Sequence, residues 1–207
     1  MNIILASKSP RRSELLSQIG LKFSVMVSDA DENINEVDPA AMVEKLSYIK
    51  AKAVYDSIED IGVSENGFEN NREAIKENSE DIAIIGADTV VTIDGKILGK
   101  PKDDVDAYNM LKMLSGESHK VMTGVSLLKK AGGKLKSVTF HEETIVNFVE
   151  MTDAEINEYI LTKEPADKAG GYGIQGIGAK FITSISGDYN NVVGLPLAAI
   201  YKRLKEF

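Results

Sequence analysis

Asp88 stands directly after a glycine and an alanine in an otherwise apolar run, IIGADTVV. Burying a carboxylate there is expensive unless it meets a cation, a metal or a chemical task. Asp88 is therefore a candidate general base or metal ligand; the alternative is an aspartate that ends a strand and caps a turn. Two arginines stand where a helix begins, in ASKSPRRSELL at residues 6–16. Ser9 suits the N-cap and Pro10 the first helical position, so Arg11 and Arg12 fall in the first turn, at the positive end of the helix. At about 100° per residue Arg12 lies within the stripe of Leu15, Leu16 and Ile19, and so points at the protein body with Arg11 beside it. With free backbone N–H groups, the hydroxyls of Ser7 and Ser9, and Lys8 close by, this arrangement suits a phosphate. Otherwise the arginines turn to solvent or pair with an acid of a neighbouring loop.

Other candidates are weaker one by one. Lys100, in LGKP, follows a hairpin that starts at Asp88 and returns toward its base, or is an ordinary surface lysine. Asp31 and Glu32, in DADENINE, offer hard oxygen ligands for Mg²⁺ or Mn²⁺, or are a solvated acidic loop. Lys50 sits mid-helix near an apolar face, placed to bind phosphate or to snorkel. GYGIQG, residues 171–176, satisfies G-x-G-x-x-G, but it follows a helix and precedes a strand, so it is no dinucleotide fingerprint, and Gly178 is followed by Ala, which excludes a P-loop. It reads as a flexible loop with Tyr172, Gln175 and many free N–H groups. Gln175 both donates and accepts, as reading the edge of a base requires.

The elements that must position these groups follow from periodicity and caps. Asn2 to Ala6 predicts a strand, Pro10 to Ile19 a helix ended by Gly20, and Lys22 to Ser28 a second strand. Asp38 and Pro39 open a helix to about Tyr55. From Asp56 to Asp81 the chain is polar, with nine acids against two bases, and reads as an acidic insertion with a short helix around Arg72 to Asn78. Ile82 onward predicts a strand, a turn at Asp94 and Gly95, and a short return strand. Asp103 caps a helix to about Leu114. Two long strands, a capping box at Thr152 and Glu155, the strand AKFITSI and a helix from Pro196 complete the chain. Helices and strands alternate with at least one hairpin, so a mixed-sheet α/β architecture is expected over a single domain spanning residues 1–207.

Composition narrows the function classes. The chain has no cysteine and two histidines, which excludes disulfides and thiol nucleophiles and leaves acid–base or metal chemistry to carboxylates. The formal charge is −8; the acidic stretch carries −7 of it, leaving −1 elsewhere. A general nucleic-acid binder is not indicated, yet a local basic cluster for an anionic small molecule is compatible with that balance. The apolar runs fall short of the roughly 18 residues that cross a bilayer, and no signal-peptide pattern opens the chain. A soluble cytoplasmic protein without a membrane or nucleic-acid partner is the expectation.

Taken in order and spacing, SKSPRRSELL, GADTVV, LGKP, TGV, and DKAGGYGIQG followed by NNVVGLPL resemble the Maf family of nucleoside triphosphate pyrophosphatases, from Ile3 to about Leu204. The resemblance implies a mixed, elongated sheet flanked by helices, with two lobes around a central cleft, similar to inosine triphosphate pyrophosphatases and often a homodimer. It implies hydrolysis between the α and β phosphates with a divalent cation, Mg²⁺ or Mn²⁺, as housecleaning that keeps unwanted nucleotides out of nucleic acids. Asp88 matches the family's proton acceptor. Arg12, Thr89 and Gln175 match positions tied to base preference, in the form of the subgroup acting on dTTP and UTP. Glu32, Lys50 and Lys100 match positions lining the cleft. On this basis Asp88, with Glu32, is expected to hold the metal, while Ser7, Lys50, Lys100 and one or both of Arg11 and Arg12 bind the triphosphate, and Gln175 with Thr89 reads the pyrimidine. The long acidic stretch departs from the family pattern. Two rival readings are a non-catalytic nucleotide-sensing regulator of cell division and a pyrophosphatase for ITP or XTP.

Overall fold

A computed structural model describes residues 2–27, 30–63, 82–131 and 134–207, with the backbone alone over 59–63. The elements in chain order are β1 (Asn2–Ala6), α1 (Pro10–Gln18), β2 (Phe23–Val25), α2 (Pro39–Val63), β3 (Ile82–Ile93), β4 (Lys96–Leu98), α3 (Asp104–Leu114), β5 (Ser118–Ala131), β6 (Lys134–Phe148), α4 (Asp153–Leu161), β7 (Ile182–Ser186), α5 (Tyr189–Val193) and α6 (Leu197–Glu206). Three 3₁₀ turns lie between α4 and β7, at Glu164–Asp167, Ala169–Gly171 and Ile177–Phe181.

The described strands form one sheet in the order β2-β1-β3-β5-β6-β7, with β4 on β3. β1 runs parallel to β2 and β3, and the other pairings are antiparallel, so the expected mixed sheet is found. One detail of the pairing makes the site. On one edge of β3, β1 covers Ile82 to Gly86 and β4 covers Val91 to Ile93. Residues 87–90 between them pair only with β5. The break lies at the carboxyl end of the parallel strands, where open α/β sheets hold their ligands, and α1 starts just beyond it.

Helix α2 lies directly on the sheet because two facing residues lack side chains. A Cβ on Gly86 would overlap the carbonyl oxygen of Ser47, and one on Gly124 the carbonyl of Val43. Asp88 is the register partner of Gly124, and Gly86 that of Ser126. The hydroxyls of Ser47 and Ser126 meet at 2.9 Å in the buried contact. The glycines of GADTVV and TGV thus serve close packing, which carries Lys50 over Asp88.

Two smaller buried clusters pack α2 on the long strands, around Val54 and Ile84 and around Val43 and Val90, and two larger cores lie along the strands. At one end Val91, Val121, Val146 and Phe148 pack with Leu111 and Leu114 of α3 and with Ile156 and Tyr159 of α4. At the other, Leu5, Leu15, Leu16, Ile85 and Leu127 pack with Ile200 of α6. No described helix is long and apolar enough to cross a membrane.

Three expectations need adjustment. Helix α2 runs to Val63, not Tyr55, because Ile58 extends its buried stripe into the acidic stretch; residues 64–81, including the helix expected at Arg72 to Asn78, lie outside the described residues. β2 is three residues long, an edge strand whose Val25 is exposed. In AKFITSI the first three residues belong to a 3₁₀ turn and the strand starts at Ile182. Helix α5 was missed; Asp188 caps it, accepting from the Asn190 N–H at 2.8 Å.

Candidate active site

A cleft of about 650 Å³ opens at the break in the β3 edge, between the two cores. The nine residues that the family resemblance assigned to the site all line it: Ser7, Arg11 and Arg12 on the β1–α1 side, Glu32 and Lys50 above, Asp88 and Thr89 on β3, and Lys100 and Gln175 opposite; Asp31, the other acid considered as a metal ligand, does not.

Asp88 sits in the middle of β3, which excludes the turn-capping alternative. The Lys50 ammonium donates to its Oδ1 at 2.6 Å and pairs with Glu32 Oε2 at 3.0 Å. The Lys50 and Asp88 side chains are 14% and 15% exposed, and that of Glu32 56%. A poorly hydrated carboxylate is therefore paired with an equally shielded cation. Among the described residues Asp88 Oδ2 has no hydrogen-bond partner and is left to accept one from water.

No group of three or more His, Cys, Asp or Glu among the described residues is placed to hold a metal. Two carboxylates reached by one ammonium do fit a Mg²⁺-like ion, which commonly takes one or two carboxylates and completes its shell with phosphates and water.

Arg12 points inward as its helical phase required, but its donors are spent on the protein. Nε donates to Gly194 O at 2.8 Å, Nη1 to Ser7 Oγ and Ala87 O at 3.0 Å, and Nη2 to Thr89 Oγ1 at 3.0 Å. Ala87 lies in the uncovered stretch of β3, so the guanidinium takes the place of a strand there. Burial lowers the Arg12 pKa, Asp88 opposes that, and neighbouring Arg11 adds to it. Guanidinium remains charged under these conditions.

The hydroxyls follow by elimination. Thr123 Oγ1 donates to Asn191 O at 2.9 Å, so in its 3.0 Å contact with Thr89 the single Thr89 proton must be the donated one. Thr89 thus has no donor left for a ligand. Ser7 Oγ accepts from the Ser9 N–H and from Arg12, which leaves it only its proton. Asn191, fully buried, donates to Val121 O and Thr144 Oγ1, both at 3.0 Å, and ties α5 to β5 and β6.

Arg11 takes the other path foreseen for it. It pairs with Asp167 at 2.9 Å, an acid of the 3₁₀ segment across the cleft that Lys168 also reaches at 2.8 Å. Ser9 occupies the N-cap but makes no side-chain cap bond. The N–H groups of Arg11 and Arg12 have no acceptor among the described residues, and Lys8 and Lys100 no ion pair.

The glycine-rich loop is less open than its composition suggested. The Gly173 N–H donates to Tyr159 Oη at 3.1 Å, and those of Ile177 and Gly178 to the Glu164 carboxylate at 2.8 and 3.1 Å. The loop is thus held from behind at these points, while the N–H groups of Tyr172, Ile174, Gln175 and Gly176 have no acceptor among the described residues, so the expectation of free N–H groups holds for most of residues 171–176. Tyr172 extends this anchoring, its hydroxyl 2.7 Å from His119 Nε2 in a buried aromatic group with Phe148. Desolvation lowers the His119 pKa to about 4 and raises that of Tyr172. Glu164, Tyr159, Asp167, Thr123 and Asn191 were not recognised from sequence. The one available signal was the glycine spacing at 173, 176 and 178, which marks close approach as well as flexibility.

Comparison with known proteins is consistent over the full length. The profile of the Maf family, described as Maf-like protein, matches residues 2–207. The dTTP/UTP pyrophosphatase of Bacillus cytotoxicus is 47% identical over 205 residues, covering 99% of this chain and 94% of that relative. Its counterpart in Agathobacter rectalis is 47% identical over 206 residues, covering 99% and 96%. That of Bacillus thuringiensis subsp. konkukian is 44% identical over 206 residues, covering 99% and 95%. Among solved structures, the Staphylococcus aureus Ham1 protein aligns with a TM-score of 0.44 at 14% identity, covering 88% of this chain and 80% of that one.

Proposed function

The chain belongs to the Maf family, and from that premise we propose that it hydrolyses dTTP and UTP to the nucleoside monophosphate and pyrophosphate. The observation that carries the chemistry is Asp88, shielded in the cleft, with one oxygen on Lys50 and the other open. On this reading Asp88 is the base. A water placed on Oδ2 attacks the α-phosphorus and gives up its proton to the carboxylate, while the bond to the bridging oxygen of the β-phosphate breaks and pyrophosphate leaves. No covalent nucleophile is needed.

The reaction is then mainly one of placing the nucleotide and neutralising charge. Lys50 orients Asp88 and faces the phosphates. Lys100, Lys8 and the unpaired N–H groups at the start of α1 supply the remaining positive potential, which the α1 dipole reinforces. Of the two arginines, Arg11 is the better phosphate ligand, because its exposed ion pair with Asp167 exchanges cheaply whereas Arg12 holds four protein acceptors. Arg12 and Thr89 shape the pocket, and the exposed amide of Gln175 reads the base. Asp88 and Glu32 would hold a divalent cation, which when bound supplies Lewis-acid stabilisation of phosphate charge. The enzyme works in the cytoplasm on free nucleotides, as a homodimer, and keeps unwanted pyrimidine nucleotides from incorporation.

The test is to incubate the protein with dTTP, UTP, CTP, ITP and 7-methyl-GTP, each with Mg²⁺ or Mn²⁺, and to measure pyrophosphate. Release from dTTP and UTP ahead of the others is expected. Nucleotide binding without release from any of them would leave a nucleotide sensor and overturn the enzyme reading.

A further inference from the structure

Behind the loop that carries Gln175 lies a carboxylate that never reaches the cleft. Glu164 Oε1 accepts from Tyr159 Oη at 2.8 Å and from the Gly178 N–H at 3.1 Å, and Oε2 accepts from the Ile177 N–H at 2.8 Å. Tyr159 in turn accepts from the Gly173 N–H at 3.1 Å. The backbone is thereby fixed two residues before Gln175 and two and three residues after it, all from one pair, the buried Tyr159 and the half-buried Glu164. Neither Glu164 nor Tyr159 lines the cleft.

The three glycines of this loop have the same explanation. A Cβ on Gly176 would run into the Glu164 carboxylate, one on Gly178 would stand 2.6 Å from Tyr159 Oη, and one on Gly173 2.7 Å from Lys168 Cε. Lys168 closes the back of the arrangement, donating to Glu164 O at 2.8 Å. The sequence pattern that resembles a phosphate loop is thus a main chain folded around an internal anion. Partial burial works against the Glu164 charge, but the N–H groups of Gly178 and Ile177 and the Tyr159 hydroxyl outweigh it and keep the carboxyl below its usual range.

We propose that Glu164 and Tyr159 are positioning residues for base selection: they hold residues 173–178 in the one conformation that presents the Gln175 amide to the nucleobase. The proposal rests on the reading that Gln175 is the base reader. Glu164→Gln sets a donor against a donor, either at Ile177 or at the Gly178 and Tyr159 contact, so one side of the loop is released. Tyr159→Phe keeps the buried ring and removes only the hydroxyl that Gly173 and Glu164 share.

The experiment measures kcat and KM for UTP and for ITP with the full chain carrying Gln175→Ala, Glu164→Gln, Tyr159→Phe, and Glu164→Gln with Gln175→Ala. Each single variant is expected to lower the UTP-over-ITP ratio of kcat/KM about tenfold, chiefly through the KM for UTP, and the double variant to lose no more than Gln175→Ala alone. If Gln175→Ala leaves the ratio unchanged, the base-reader assignment fails. If it lowers the ratio but Glu164→Gln and Tyr159→Phe slow both substrates equally, or add to Gln175→Ala, the positioning proposal alone is overturned. Should Glu164→Gln not fold, Tyr159→Phe decides, by itself and combined with Gln175→Ala.

Discussion

The two walls of the cleft handle the same kind of group in opposite ways. At the start of α1 the backbone N–H groups of Arg11 and Arg12 find no acceptor among the described residues, because Ser9 sits at the N-cap without bonding. Across the cleft, N–H groups of the glycine-rich loop are taken up by Glu164 and Tyr159. By composition alone the second wall resembles the phosphate cradle, yet part of its main chain is already committed to the protein's own carboxylate, whereas the helix start is committed to none among the described residues. Helix geometry leaves donors unsatisfied by necessity, whereas glycines only allow close approach, here to the protein's own carboxylate. The difference implies a division of labour, with charge and catalysis on the α1–β3 wall and shape and selectivity on the loop wall.

Variants on the first wall should be felt in rate. Asp88→Asn is expected to lower kcat by about 10²–10⁴-fold while nucleotide binding, followed by calorimetry, is retained. Unaltered turnover would remove Asp88 from the mechanism. Lys50→Met is expected to cost about 10²–10³ in kcat. Unchanged turnover would show that Lys50 neither orients Asp88 nor serves the phosphates.

The packing that supports that wall has a smaller effect. Gly124→Ala pushes α2 off the sheet and should cost roughly 1–3 kcal/mol in urea unfolding, together with a fall in kcat as Lys50 shifts. A stable, fully active variant would mean that α2 has room to move without loss. The loop wall predicts a pH effect on stability instead of rate. His119 titrates at about 4 when folded, against about 6.5 unfolded, so the unfolded chain takes up its proton first as the pH falls. Its contribution is complete above the unfolded value and declines toward the folded one, by about 2 kcal/mol at pH 5. The loss of stability between pH 7 and pH 5 should be smaller in His119→Phe; an equal loss would place the acid sensitivity elsewhere.

Much of this was legible in the sequence, for identifiable reasons. Caps at Asp103 and Thr152, and the turn at Asp94 and Gly95, act through local backbone chemistry and were read correctly. The inward direction of Arg12 followed from helical phase. What its donors would meet did not: Ala87 and Thr89 on β3 and Gly194 after α5 come from two distant segments. The same limit hid Glu164. Nothing near EPAD distinguishes a solvated glutamate from one that a loop more than ten residues away folds around. α2 outran its expected end because the acidic composition after Tyr55 masked one further buried position, Ile58.

The division of labour is tested most directly by measuring kcat and KM for UTP and ITP side by side in the unmodified protein, Asp88→Asn and Gln175→Ala. Asp88→Asn is predicted to lose turnover on both substrates with the UTP-over-ITP preference intact. Gln175→Ala is predicted to lose most of that preference with kcat held within a few-fold. Loss of turnover without loss of preference in Gln175→Ala, or altered preference in Asp88→Asn, would contradict the assignment of selectivity to one wall and chemistry to the other.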